Sequence, residues 1–193
     1  FGAQALVACL MARSFPEDSL VAEEDAAHLR TREGRQTLER VAGFVSRFLG
    51  RVAPEAIANW IDRGSGEPAG RFWTMDPIDG TKGFLRGEQY AVALALVVEG
   101  KVQVGVLGCP NLRGAGEPDV GEPGSLVIAG RGQGAWSAPL NKKGDFVPLH
   151  VSSRRDPGEA VMINSVEKEH TDVARKGELM AVLGIKQPPL LMD

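Results

Sequence analysis

Trp73-Thr74-Met75-Asp76-Pro77-Ile78-Asp79-Gly80-Thr81-Lys82-Gly83-Phe84 joins an apolar run to two aspartates three residues apart, then to a glycine, a threonine and a lysine. Pro77 cannot donate to a strand ladder, so a strand arriving at Asp76 is expected to stop there. The chain then turns, with both carboxylates near one strand end and Gly80 free to take an unusual backbone angle. Two hard oxygen ligands on one turn suit Mg²⁺, which binds through carboxylates, waters and substrate phosphate. The backbone N–H groups of Gly80 and Thr81 suit an anion if a helix starts there. The same residues read equally well as a surface Asx turn before a loop.

The stretch sits among sheet signals. Arg71 to Met75 reads as a strand. Gln89 to Val98 and Val102 to Cys109 are two apolar runs joined by Glu99-Gly100-Lys101, the pattern of a hairpin. Their near-continuous apolarity predicts a sheet covered on both faces. Leu112 to Pro123 is rich in glycine and proline and reads as an exposed loop. Ser125 to Ala129 is a further strand, and another starts at Gly132 to Trp136. Asn141 to Gly144 is a polar turn, and Phe146 to Val151 a short extended segment.

Upstream, Ala3 to Arg13 is rich in helix formers, with Leu6, Val7, Leu10 and Met11 on one face, and reads as a core-packing helix. Phe15-Pro16 ends it. Ser19 to Ala22 is a short strand running into Glu23-Glu24-Asp25. Such an acidic run is usually a solvated loop, but Glu23 at a strand end is also placed to add a third carboxylate to Asp76 and Asp79. Arg30 to Gly50 reads as a helix with the stripe Leu38, Val41, Phe44, Val45 and Phe48. Pro54 to Ile61 reads as another, with proline in its first turn. Gly64 to Gly70 is a loop. Downstream, Val161 to Ser165 starts a new sheet, and Glu169 to Leu183 is a helix stopped by Gly184.

The 193 residues suffice for one large domain or two small ones. At 43% hydrophobic residues a real core is available. A formal net charge of −3 and a pI near 5.7 argue against a nucleic-acid binder. A small anionic substrate stays open, because a bound metal supplies positive charge. The longest apolar run, Ala91 to Val98, is too short to span a bilayer, and no membrane association is expected. Cys9 and Cys109 form no metal spacing and read as buried thiols of a cytoplasmic protein. The chain opens on Phe1 and ends on Leu190 to Asp193, both inside apolar patterns, and is expected to be a piece of a longer protein.

Asp76-Pro77-Ile78-Asp79-Gly80-Thr81, with Glu23-Glu24 upstream, resembles the lithium-sensitive, Mg²⁺-dependent phosphomonoesterases of the inositol monophosphatase superfamily. Arg71-Phe72-Trp73, Asp76 to Gln89, and Gly105 to Leu112 are similar to its 3′(2′),5′-bisphosphate nucleotidase branch. Phe15-Pro16, Val21 to Glu24 and Ser165 to His170 fit the same branch. The resemblance implies a layered αβαβα fold of the α+β class, truncated in its second domain. Residues 1–151 would form an N-terminal α+β domain with a mostly antiparallel sheet, and 159–193 the beginning of a C-terminal α/β domain. It implies Glu23, Asp76 and Asp79 as metal carboxylates, the Ile78 carbonyl as a further ligand, and Mg²⁺ as the ion. Thr81 would orient the attacking water, the Gly80 and Thr81 amides would bind phosphate, and His170 would contact the nucleotide; read alone, His170 is an exposed helix histidine.

The implied reaction removes the 3′-phosphate of adenosine 3′,5′-bisphosphate, with 3′-phosphoadenylyl sulfate as second substrate, in a monomer. The alternatives are an inositol phosphate phosphatase and an inert metal- or nucleotide-binding fragment. Ala22 stands where the family has glycine. The family's aspartate that pairs with the threonine, its late Trp-Asp, and a nucleotide-binding serine and lysine would fall outside the chain. By itself, then, the chain is expected to be a poor catalyst or none.

Overall fold

A computed structural model describes residues 1–114, 117–120, 123–142, 144–166 and 173–191. A helix α1 (Gly2–Ser14) leads to strand β1 (Ser19–Ala22), a 3₁₀ turn at His28–Arg30, and helices α2 (Arg35–Leu49) and α3 (Pro54–Asp62). Strand β2 (Arg71–Asp79), the short helix α4 (Thr81–Arg86), and strands β3 (Ala91–Val98) and β4 (Lys101–Cys109) follow. Two-residue strands β5 (Leu112–Arg113) and β6 (Glu117–Pro118) interrupt the stretch expected to be loop. Strands β7 (Ser125–Gly130), β8 (Gly134–Pro139) and β9 (Val147–Leu149) complete a seven-stranded sheet in the order β1-β2-β3-β4-β7-β8-β9. Beyond it, β10 (Ile163–Asn164) pairs in parallel with β11 (Leu190–Leu191) across helix α5 (Val173–Leu183). The expected start of that helix at Glu169 lies outside the described residues.

The sheet is antiparallel except where β1 runs parallel to β2. The β3–β4 hairpin closes through Glu99 and Gly100, both at positive φ (49° and 70°), with Val98 facing Lys101. Two central residues of that hand match the twist of the flanking strands. Contrary to expectation, β2 does not stop at Asp76. It runs through Pro77 to Asp79, with a shift of register against β3 between Asp76 and Asp79. A bulge leaves a residue out of the ladder, so the missing proline N–H costs no hydrogen bond there.

Helix α1 packs on one face of this sheet, and α2 and α3 pack on α1 and on each other. The α1 face differs from the expected one: Gln4, Ala5, Ala8, Cys9 and Met11 are buried, while Leu10 is 54% exposed. Small residues let α1 approach both α3 and the sheet closely. On α2 the buried stripe is Leu38, Val41, Ala42 and Val45, and Phe44 and Phe48 face outward. Ala42, which the apolar pattern passed over, sits four residues after Leu38 and completes the stripe in place of Phe44. The expected long helix from Arg30 is also shorter, because residues 31–34 turn between the 3₁₀ segment and α2. Ile57 and Ile61 of α3 meet Val45 and Ala5 in one fully buried cluster. A second joins Ala8, Met11 and Leu20 to Trp73, Met75 and Leu96 of the sheet.

The opposite sheet face, expected to be covered, carries a groove of about 420 Å³. Thr74, Asp76, Ala93, Ala95, Gly105, Leu107, Val127 and Ala129 contribute to its walls. Both cysteines are free and buried, as expected.

Two sets of contacts tie β1 to its surroundings. Residues 64–67 lie along its outer side: the Ala22 N–H donates to the Gly64 carbonyl (2.7 Å), the Gly66 N–H to the Leu20 carbonyl (2.9 Å), and the Ser19 hydroxyl to the Glu67 carbonyl (2.8 Å). Just before β1, Asp18 accepts from Arg71 Nε (2.9 Å) and from Trp73 Nε1 (2.8 Å). The Arg71 guanidinium, helped by the Trp73 indole, holds the Asp18 carboxyl below its ordinary value against the opposing push of burial. A depressed folded value means stability that is complete above the unfolded value of about 3.9 and lost as pH falls through the folded one. Asp18→Asn is therefore expected to melt lower than wild type near neutral pH and to converge with it in acid. Melting curves from pH 7 to pH 2 check this; a constant offset in Tm would refute it.

Candidate active site

The site is built where β1 and β2 end. Ala22 pairs with Met75, and both pack toward α1. The next residues are Glu23, just past the end of β1, and Asp76, still within β2. Alternation along β2 sends Asp76 to the face away from the helices, where it lines the groove. Parallel pairing thus brings together the two strand ends that precede acidic residues 53 positions apart in the chain.

Past Asp76 the backbone folds under its own hydrogen bonds. Asp76 Oδ1 accepts from the Ile78 N–H (2.9 Å), so the Asx turn expected as the alternative reading is present. The other Asp76 oxygen has no hydrogen-bond partner among the described residues. Pro77 is buried beneath the turn. The Thr81 hydroxyl donates to the Ile78 carbonyl (3.1 Å), which leaves the hydroxyl oxygen able to accept. Asp79 pairs with Ala91 through the ladder while its side chain is exposed.

Gly80 is left-handed (φ 83°, ψ 44°) and heads α4. A Cβ there would lie 3.3 Å from the Gln89 carbonyl oxygen and 3.4 Å from Tyr90 Cα, so both conformation and space call for glycine. The Thr81 N–H opens the helix, where amides have no intrahelical acceptor. The Phe84 N–H returns to the Gly80 carbonyl (3.0 Å), which fixes the helix start on the turn.

Beside the turn lies a cavity of about 110 Å³, lined by Asp79, Gly80, Gln89, Tyr90, Ala91, Cys109 and Leu112. It has room for roughly three waters. Burial first, and the Asp79 charge second, push the Cys109 thiol up, so the thiol facing this cavity stays protonated and unreactive at neutral pH. Gln89 is buried and donates to the Asn111 carbonyl, and Asn111 donates to the Glu88 carbonyl. This clamp ties the segment after α4 to the end of β4 and closes the cavity wall.

Of the residues expected from sequence, Glu23, Asp76, Ile78, Asp79, Gly80 and Thr81 stand on two adjacent strand ends and the turn between β2 and α4. His170 lies outside the described residues. Among the described residues no three carboxylate, thiol or imidazole side chains stand close enough to hold a metal unaided. The donors on these strand ends and the turn are hard oxygens: the carboxylates of Glu23, Asp76 and Asp79 and the Ile78 carbonyl. That set fits an ion such as Mg²⁺, which uses one or two carboxylates and completes its shell with waters and phosphate. Gln4, Asp62, Gln89 and Asn111 were missed as shapers of this region. For Gln4 a signal existed, since it lies on the same helical stripe as Ala8 and Met11.

The inositol monophosphatase family model matches residues 3–184. The chain is 38% identical over 212 residues to 3′(2′),5′-bisphosphate nucleotidase 1 of Arabidopsis thaliana, covering 100% of itself and 60% of that protein. It is 38% identical over 207 residues to the 3′(2′),5′-bisphosphate nucleotidase of Schizosaccharomyces pombe, covering 100% of itself and 58% of that protein. In fold it is similar to an inositol monophosphatase from Anabaena (Nostoc) sp. PCC 7120, with a TM-score of 0.53, 18% identity, and coverage of 95% of this chain and 54% of that one. An IMPase of Thermotoga maritima gives a TM-score of 0.51 at 21% identity, covering 92% of this chain and 46% of that one. The chain spans about three-fifths of the length of the curated relatives it matches.

Proposed function

The chain belongs to the inositol monophosphatase family, and from that premise we propose that it carries the metal- and phosphate-binding part of a 3′(2′),5′-bisphosphate nucleotidase. The reaction is hydrolysis of the 3′-phosphate of adenosine 3′,5′-bisphosphate to AMP and phosphate, with 3′-phosphoadenylyl sulfate as second substrate. The observation that supports the reading is the parallel β1–β2 register, Ala22 opposite Met75, after which Glu23 and Asp76 follow one residue on, ahead of Gly80 and Thr81. The names of the two relatives above support the nucleotide over the sugar substrate. Residues 1–151 are taken as the first domain and 159–193 as the start of a second.

Glu23, Asp76, Asp79 and the Ile78 carbonyl would hold Mg²⁺. When bound, the ion supplies the positive charge that neutralises a phosphate and lowers the pKa of water. The chain's own groups do the rest. Thr81, its proton committed to the Ile78 carbonyl, presents an oxygen that accepts from the attacking water and so orients it. The Gly80 and Thr81 amides take phosphate oxygens at the head of α4. The left-handed Gly80 keeps the backbone bare at that point, where a side chain would meet the Gln89 segment. His170 would contact the nucleotide.

The test is phosphate release by the full-length protein that carries this chain, with Mg²⁺, from adenosine 3′,5′-bisphosphate and from inositol 1-phosphate. A higher kcat/KM for the bisphosphate is expected. A clear preference for the inositol phosphate would overturn the substrate assignment and leave the family intact.

A further inference from the structure

Gln4 is fully buried on α1, between the acidic strand end and the end of α3. A buried amide must place its donors and its acceptor, and here all three bonds go to backbone. Nε2 donates to the Glu24 carbonyl (2.6 Å) and to the Ile61 carbonyl (2.8 Å), and Oε1 accepts from the Glu24 N–H (3.1 Å). One side chain thus takes both main-chain groups of Glu24, as a neighbouring strand would.

The ties on either side complete the picture. The Ala22 N–H donates to the Gly64 carbonyl (2.7 Å) and the Ala26 N–H to Asp62 Oδ1 (2.7 Å). Asp62 is itself held by Arg30, which also bonds Glu55 and Asn59. The acidic segment is therefore fixed at residues 22, 24 and 26, and Glu23 stands between the first two fixed points. A solvated loop needs no such framework: Glu23-Glu24-Asp25 would be hydrated without it.

We propose that Gln4 is a positioning residue, whose amide locks the backbone of Glu24 and thereby sets the Glu23 carboxylate beside Asp76. The proposal rests on the metal-site reading of Glu23, Asp76 and Asp79. Gly64 belongs to the same device. A Cβ at Gly64 would lie 2.4 Å from Gln4 Nε2 and 2.9 Å from the Ala22 Cβ, so a methyl group there would drive the amide off its partners.

The test uses Mn²⁺ alone as probe, with free ion counted by electron paramagnetic resonance, on the full-length protein below the melting transition of each variant. Gln4→Leu keeps the bulk and removes all three bonds. It is expected to weaken Mn²⁺ binding by 10- to 100-fold, the range for residues that orient metal ligands. Gly64→Ala, which leaves the Gln4 chemistry intact, is expected to weaken it in the same direction, and decides the matter if Gln4→Leu does not fold. A purely structural Gln4 would lower Tm and leave Mn²⁺ affinity as in wild type; that result in the folded variants overturns the proposal. Asp79→Asn, run alongside, separates the two levels. If it too leaves Mn²⁺ affinity unchanged, the metal site itself is wrong. If it alone weakens binding, only the role of Gln4 is.

Discussion

Asp79→Asn in the full-length protein is expected to cut Mg²⁺-dependent phosphate release by about 10³-fold while the fold survives. The substitution keeps the size of the side chain and removes its charge. Asp79 holds its place in the β2–β3 ladder through the backbone, opposite Ala91, and its side chain is exposed. Nothing in the core depends on the carboxylate, and exposed substitutions of this kind stay within about 0.5 kcal/mol in stability. In the proposed site that carboxylate is a ligand. Several kcal/mol of transition-state charge stabilisation go with the ion, and each factor of ten in rate corresponds to about 1.4 kcal/mol. Initial rates at several Mg²⁺ concentrations, with a melting curve for each protein, check the result. Wild-type turnover by a folded Asp79→Asn protein would refute the metal assignment.

Trp73→Ala is expected to destabilise the protein by about 3–5 kcal/mol, the range for emptying a large aromatic site in a core. Trp73 is 7% exposed and joins the sheet to α1 through Ala8 and Met11, beside Leu20 of β1. Its ring also contacts Phe15, centroid to centroid at 5.2 Å, and its indole N–H donates to Asp18. For a domain of this size each kcal/mol moves Tm by about 2–4 °C, so a fall of about 10 °C is the reading to look for. Trp73→Phe keeps most of the volume and loses the indole donor, and should fall much less. Thermal unfolding by circular dichroism compares the three proteins. Equal losses in the two variants would mean that the hydrogen bond to Asp18, and not the packing, carries the effect.

The strands were legible because their apolar runs are dense and bounded. Ala91 to Val98 and Lys101 to Cys109 fell within two residues of where the apolar runs and the Glu99-Gly100 turn put them. The site turn was legible because Pro fixes its own backbone angle, Asp bonds its own turn, and Gly admits the left-handed angle the turn needs. What failed was the choice of helix face. Leu10, Phe44 and Phe48 look like core residues, but the packing surface belongs to Ala5, Ala8 and Ala42, where close approach matters more than size. The run through Pro77 was missed because a register shift is a property of two strands together, and one strand's sequence does not carry it. The acidic segment was readable as either loop or ligand. The pairing of Ala22 with Met75, and the Gln4 bonds beyond it, are what the proposed ligand reading rests on, and neither is written in the acidic run itself.

The contacts along β1 have a second consequence. A terminal strand with free N–H and C=O groups is a template on which another chain can add, and the route to edge-to-edge aggregation. Here residues 64–67 occupy that margin, through the Gly64, Gly66 and Glu67 backbone and the bridge between Val21 and Ser65. At the other margin β9 is only three residues long and has Pro148 at its centre. Both margins of the seven-stranded sheet are therefore blunted against strand addition, and the same loop that steadies the acidic strand end also keeps it from polymerising.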